Sequence, residues 1–143
     1  MYIGKFHKYA GICLVGMQND HAAHIVKVAS DALIKKGFKV MIFNAFTDMF
    51  YDTPYSKGEA SVYHLINLDI VDVLVIMPET IKSEWIIDTI IRYANAAKIP
   101  VIMLDGSHNG CTNITYDYGR SLESVVEHVI TEHKCTDLFF MAG

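Results

Sequence analysis

The chain has 143 residues, with 12 Lys+Arg against 16 Asp+Glu and a formal charge of −4. A hydrophobic fraction of 52% with so small a net charge excludes a disordered chain, and the acid excess leaves no basic face for nucleic acid. The length fits one domain, which at this size buries about 68–70% of the surface its unfolded form exposes.

Residues 1–10 read as an N-terminal arm, and the lobe proper as residues 11–143. Residues 11–17 (GICLVGM) are apolar on both faces, the pattern of a central parallel strand. Asp20 is placed to cap the next helix, along which Ala22, Ile25, Ala29 and Leu33 recur at helical spacing. Lys35 and Lys36 complement its negative end, and Gly37 supplies a left-handed cap. Residues 38–44 (FKVMIFN) form a second strand. Residues 45–58, polar and aromatic with Pro54 inside, read as a loop. Residues 59–69 carry Val62, Leu65 and Ile66 on one face and read as a helix. Residues 72–77 are a third strand stopped by Pro78. Residues 83–97 are the clearest helix, with Ile87, Ile90, Ile91 and Ala94 in one stripe. Residues 99–104 form a fourth strand, with Pro100 tolerated near its start. Residues 113–116 are a short extended piece. Asp117 then caps a helix running through Leu122, Val125, Val126 and Val129 to His133, and residues 137–141 (DLFFM) form a last strand.

Strand and helix alternate throughout. Parallel strands need crossovers, and right-handed crossovers put helices on both faces. The expected fold is an α/β doubly wound three-layer sandwich with a mostly parallel sheet. Ligands of such sheets sit outside the carboxyl ends of the strands. The loops to search are therefore 18–21, 44–53, 77–80, 105–110 and residue 117.

Those loops exclude several chemistries. The first strand-to-helix turn, residues 16–21, lacks GxGxxG and GxxxxGK[ST], and Asp20 would repel a phosphate. A phospho-receiver domain would need clustered acids after the first strand and an Asp after the third, which ends Met77-Pro78-Glu79. His21 and His24 lie one helical turn apart, but two ligands without a third make no metal site. GxSxG is absent, Cys13 lies in a strand, and Cys111 near His108 reads as a chance loop thiol. Asp105 and Asp117 both fall at the ligand-facing edge, where they can hydrogen-bond hydroxyls or cap a helix. No catalytic residue, metal or cofactor is expected, and any catalytic output module would lie outside this chain.

The three cysteines, Cys13, Cys111 and Cys135, are odd in number and lack CxxC spacing, which suits reduced thiols in the cytoplasm. No apolar run reaches the ~18 residues of a membrane span. Lys5 and Lys8 ahead of residues 10–17 mimic a signal peptide, but Gln18-Asn19-Asp20-His21 follows instead of a small-residue cleavage site. The arm is too short for a helix-turn-helix.

From Gly11 to Gly143 these stretches resemble, in order, the N-terminal half of the effector-binding domain of lac-repressor-type regulators, relatives of periplasmic binding proteins. Ile12-Cys13-Leu14-Val15 followed by Asn19 is similar to the family's opening strand and its Asn-Pro-Phe-Phe turn. ALIKKGF at 32–38 resembles the end of its first helix, and Val71-Asp72 with residues 73–77 its "VDGIIL" strand. IPVIMLD at 99–105 is close to verbatim. Residues 113–117 and Val126-Glu127-His128-Val129 fit "V-x-x-D … VEHL", and residues 138–143 resemble "IAFIAG". The resemblance implies one lobe of a periplasmic-binding-protein-like type I fold, hinged with a second lobe around a small molecule and joined to an output module. It implies ligand contacts at Asn19, His21, Ala22, Asp105 and Gly106. Asp20 stands at the family's proline, His21 and Ala22 at its two aromatic clamps, and Gly106 where an Arg is frequent. Without stacking rings the implied pocket is wider and more polar.

The expected function is a small-molecule-sensing regulatory lobe of a lac-repressor-like bacterial signalling or transcription regulator. The alternative is a sensor and dimerisation module of a diguanylate cyclase or similar signalling protein that has lost its ligand. The expected partners are an effector and a second copy, in a homodimer through the first two helices, where Val26, Val28, Tyr63 and Leu68 are outer positions. This segment is expected to touch neither nucleic acid nor membrane.

Overall fold

The computed structural model describes residues 7–47 and 53–141. The elements are β1 (Lys8–Val15), α1 (Asp20–Lys35), β2 (Phe38–Ala45), α2 (Pro54–Ala60), a 3-10 helix (Ser61–Leu65), β3 (Val73–Ile76), α3 (Pro78–Ile81), α4 (Glu84–Ala96), β4 (Val101–Leu104), β5 (Thr112–Ile114) and α5 (Tyr118–Thr131). The five strands form one sheet in the order β2-β1-β3-β4-β5. Every pairing is parallel, from Lys8 opposite Phe38 to Leu104 opposite Ile114. The expected α/β layering is thus observed.

Alternation along the strands sorts the core onto two faces. Cys13, Val15, Leu74, Ile76, Val101 and Met103 point to one face, where α4 presents Ile86, Ile87, Ile90 and Ile91. Ile12, Leu14, Val75 and Met77 point to the other, against Ala22 and Val26 of α1. Ile25, Ala29 and Leu33 complete the α1 contact, half-buried. β1 and β3 are buried on both sides, which is why their sequences read as unbroken apolar runs.

Several boundaries differ from the expectation. β1 starts at Lys8, inside the expected arm, and residues 1–6 of that arm lie outside the described residues. Asn19, not Asp20, is the cap of α1; its side-chain oxygen accepts from the N–H groups of His21 and Ala22 at 2.9 and 3.4 Å. Asp20 sits in the first turn, where the helix dipole favours a carboxylate. The expected loop at 45–58 closes early, because Pro54 opens α2 instead of breaking it. Thr53 and Ser56 form a reciprocal capping box, and proline's missing N–H costs nothing at the first helical position. Residues 48–52 of that loop lie outside the described residues. The Glu59 carboxylate accepts from the N–H groups of Phe46 and Thr47 at 2.6 and 3.1 Å, which holds its pKa below the ordinary value.

The expected helix at 59–69 tightens to 3-10 after Ala60 and ends at Leu65. Tyr63 is turned inward, its hydroxyl donating to the Leu14 carbonyl at 2.8 Å. Asn67 then accepts from the N–H of Asp69 at 3.0 Å, a turn that competes with helix. Pro78 stops β3 as expected but also starts α3.

The last expected strand, 137–141, is not a strand among the described residues, and Ala142 and Gly143 lie outside them. A strand is defined by pairing, and the segment pairs with neither edge of the described sheet. Leu138, Phe139, Phe140 and Met141 are exposed, Phe139 by 95%. The expected helix from Asp117 is present as α5, capped by Asp117 at the Arg120 N–H, yet none of its residues is buried. Of the expected outer positions, Val28 is exposed and Leu68 half-buried. Val26 and Tyr63 lie in the core and cannot face a second copy, because Val26 caps the Ile12–Leu14 side of the sheet and Tyr63 the other.

Candidate functional site

The strand order reverses between β1 and β3, and the loops beyond their carboxyl ends open the crevice that α/β sheets use for ligands. On the β1 side, Gly16 takes a left-handed turn at φ +77° and donates to the Ala45 carbonyl at 2.8 Å. The chain then reaches Asn19, whose side chain is committed to capping α1. His21 is exposed, whereas the Ala22 methyl is buried beneath α1. On the β3 side, the Thr80 hydroxyl donates to the Met77 carbonyl at 2.8 Å and accepts from the Val15 N–H at 3.1 Å. That side chain ties α3 to the end of β1.

One strand beyond β3 along the same edge, Asp105 follows the end of β4. Its backbone is left-handed at φ +60°, and its N–H donates to the Ile114 carbonyl at 2.8 Å. The Tyr118 hydroxyl, at the first residue of α5, donates to both Asp105 carboxylate oxygens at 2.8 and 2.9 Å. This hydrogen bond to Asp105 raises the Tyr118 pKa, so the phenol stays a donor. A cleft of about 460 Å³ opens here between Glu79, Asp105, Gly106, Thr115 and Tyr118. Its polar groups are two carboxylates and two hydroxyls, a set suited to a neutral, hydroxyl-bearing molecule and hostile to anions.

The structure therefore brings Asp105 and Gly106 together with Glu79, Thr115 and Tyr118. Asn19, His21 and Ala22 lie at the same edge but at the start of α1, after β1, which is two strands away from β4 in the sheet. Tyr118 was missed in the sequence although it directly follows the expected cap Asp117. Glu79 was missed because a residue after a strand-ending proline carries no signal of where it points.

The thiol near His108 comes close to a nucleophile–base arrangement. Cys111 Sγ is 3.8 Å from His108 Nδ1, and His108 Nε2 is 3.1 Å from Asp88. Nδ1 is nevertheless engaged by the Asn109 carbonyl at 2.7 Å, and burial pushes the Cys111 thiol pKa up. The group lacks an available base. Among the described residues no cluster of three or more His, Cys, Asp or Glu side chains can hold a metal, His21 and His24 included.

The cysteines should report their surroundings. Cys13 is fully buried and its pKa is pushed up to about 12 by desolvation. At pH 8 its thiolate fraction is then on the order of one in ten thousand. With a chromogenic aromatic disulfide, Cys135 should react first, Cys111 more slowly, and Cys13 only in denaturant. Reaction of Cys13 at the rate of Cys135 in native buffer would contradict the burial of β1.

This five-stranded all-parallel sheet with helices on its faces matches a LacI-type, periplasmic-binding-protein-like fold. The chain is similar to a LacI family transcriptional regulator, CcpA, from Weissella paramesenteroides, solved once with sucrose and once with glucose bound. Each comparison has a TM-score of 0.64 at 18% identity and covers 86% of this chain and 42% of that one. The chain thus spans less than half the length of the regulators it matches. No family model and no curated protein matches the sequence.

Proposed function

We propose that this chain is a small-molecule-sensing regulatory lobe of a bacterial LacI-like regulator, taking a neutral, hydroxyl-rich effector at the carboxyl edge of its sheet. The observation that carries this reading is the Asp105–Tyr118 pair, which holds a carboxylate at the mouth of a polar cleft. Sugar binding by the Weissella regulator supports the ligand class. The implied contacts Asn19, His21 and Ala22 form the far rim of the same edge; of these, His21 is the exposed side chain free to turn toward a ligand. The remainder of the proposal is a cytoplasmic homodimer, with an output module joined to the lobes. Among the described residues no helix is long and apolar enough to cross a membrane.

The test is a two-dimensional amide NMR titration of the 143-residue chain with glucose, sucrose, nucleosides and amino acids. The expected result is saturable movement of the Asp105, Gly106 and Thr115 amides with a hydroxyl-rich compound. Loss of a charged hydrogen-bond acceptor in Asp105→Asn should weaken binding by about tenfold or more. Perturbations confined to another face, or unchanged affinity in Asp105→Asn, would reject this site. No response in a chain joined to a second lobe would favour the alternative, a dimerisation module that has kept the fold and lost the ligand.

A further inference from the structure

None of the 14 residues of α5 is buried among the described residues. Leu122, Val125, Val126 and Val129 nevertheless recur at helical spacing as one apolar stripe, with Val125 59% exposed. Arg120, Glu123 and Glu127 fall on the opposite side of the helix. An isolated helix of this length is marginal in water, and its β-branched residues lower its propensity further. The stripe therefore needs a cover. The sheet carries a matching bare surface. α1 packs over Ile12, Leu14, Val75 and Met77, on and beside β1 and β3. Further out on the same face, Ile102 and Leu104 of β4 are half-buried, and their ladder partners Thr112 and Ile114 of β5 are exposed, Ile114 by 51%. On the α4 face β5 shows Asn113, the ladder partner of buried Met103.

A single copy is badly placed to join these two surfaces. The steps β3-α4-β4 and β1-α1-β2 run in opposite directions across the sheet, so right-handed crossovers put α4 and α1 on opposite faces. A step outward from β5 runs in the same direction as β3 to β4. Right-handed, it carries α5 to the α4 face, over Asn113, and not to Ile102, Leu104 and Ile114. The Tyr118–Asp105 and Asp117–Arg120 hydrogen bonds also fix the start of α5 at the carboxyl edge, with its stripe clear of its own sheet. A second copy is under no such constraint of handedness. We infer that two copies exchange this segment reciprocally: α5 of each lays its stripe on Ile102, Leu104 and Ile114 of the other, and the strand-like residues 137–141 reach the outer edge of the other's β5. Leu138, Phe139, Phe140 and Met141 are exposed in one copy. Two phenylalanines of about 150–250 Å² on each tail, with the surface they cover and the stripe itself, bring the exchange into the roughly 1,200–2,000 Å² of a stable interface. Exchange of an identical element closes under two-fold symmetry. This contact leaves Val28 of α1 uncovered, unlike a dimer through the first two helices, and it does not depend on the effector proposed above.

Sedimentation of the whole chain should show a dimer at micromolar concentration. Leu122→Glu with Val125→Glu should weaken it by about a hundredfold. Neither side chain is buried within one copy, so the lobe should stay folded, with Cys13 still protected from the aromatic disulfide. Val28→Glu should leave the dimer unchanged. A second measurement separates exchange from docking of the segment on its own sheet. The double variant Ile114→Cys, Val125→Cys, made with Cys111→Ser and Cys135→Ser, should oxidise to a covalent dimer, and Val125→Cys alone should not. A chain that is monomeric at hundred-micromolar concentration, a dimer that survives the two glutamates, or a disulfide that closes within one copy would overturn the inference. So would loss of the dimer in Val28→Glu, which would assign the contact to the first two helices. The effector titration reads the Asp105, Gly106 and Thr115 amides instead, so either proposal can fail by itself.

Discussion

Leu74→Ala should destabilise the fold by about 2–5 kcal/mol and Gly11→Ala by about 1–3 kcal/mol, yet the double variant should be more stable than the sum of the two losses. Leu74 is fully buried in β3, and its side chain crosses over Gly11 of the neighbouring strand, opposite it in the ladder. A Cβ on Gly11 would lie 2.7 Å from Leu74 Cδ2 and 3.2 Å from Phe43 Cε2. Alanine at 11 therefore overpacks a space that Leu74 fills, and alanine at 74 opens a cavity there. Together, the new methyl occupies part of the volume the leucine gave up. The coupling should be favourable, within the ~0.5–3 kcal/mol seen for residues in contact. Urea denaturation of the four proteins with a common slope measures it, and melting should move by roughly 2–4 °C per kcal/mol. Strict additivity would mean the glycine is not required by the leucine.

This pair also shows why the sheet was legible from sequence. A strand buried on both faces leaves an apolar run with nothing to hide, as in Gly11-Ile12-Cys13-Leu14-Val15. The 13-residue α4 is long enough to show its period, and it was placed to within a residue at each end. Short elements give no such signal. The 4 residues of α3 cover barely one turn, and Pro78 reads equally as a strand stop or a helix start. In α2 the deciding feature is the Thr53–Ser56 box, a side-chain exchange that hydropathy does not register. The DLFFM segment failed for the opposite reason. Its composition is strand-like, but strands are made by pairing, and among the described residues no further strand pairs with the outer edge of β5.

The candidate site divides along the same line. Asp105 was legible because it ends a strand run of unmistakable pattern. Its partner Tyr118 is 13 residues on and meets it only because β5 runs parallel beside β4 and returns the chain to the same edge. Asn19 was legible as a position at that edge. Its engagement as a helix cap depends on backbone angles at one residue, φ −78° and ψ 127°, that Asp20 could have adopted equally well.

The sharpest consequence of that geometry falls on Gly106. A Cβ there would press into the Pro78 ring against Cγ, with Cβ and Cδ of the same ring at 3.4 Å. The leucine facing Gly11 can change rotamer, whereas a proline ring cannot step aside. Nor can α3 retreat, since Ile81 is fully buried and Thr80 binds both Met77 and Val15. The 105–106 turn must move instead. Gly106→Ala should therefore cost about 1–3 kcal/mol and break the Tyr118–Asp105 hydrogen bonds. Gly58→Ala supplies the contrast. Gly58 sits inside α2 with nothing within 4 Å of the place an added methyl would take, so alanine there should stabilise by roughly 0.4–1 kcal/mol. Opposite signs in one thermal series, with the raised Tyr118 pKa falling back toward its ordinary value in Gly106→Ala alone, are the expected result. A neutral Gly106→Ala would mean that the turn does not lie against Pro78, and the effector cleft would then lose the wall that α3 gives it.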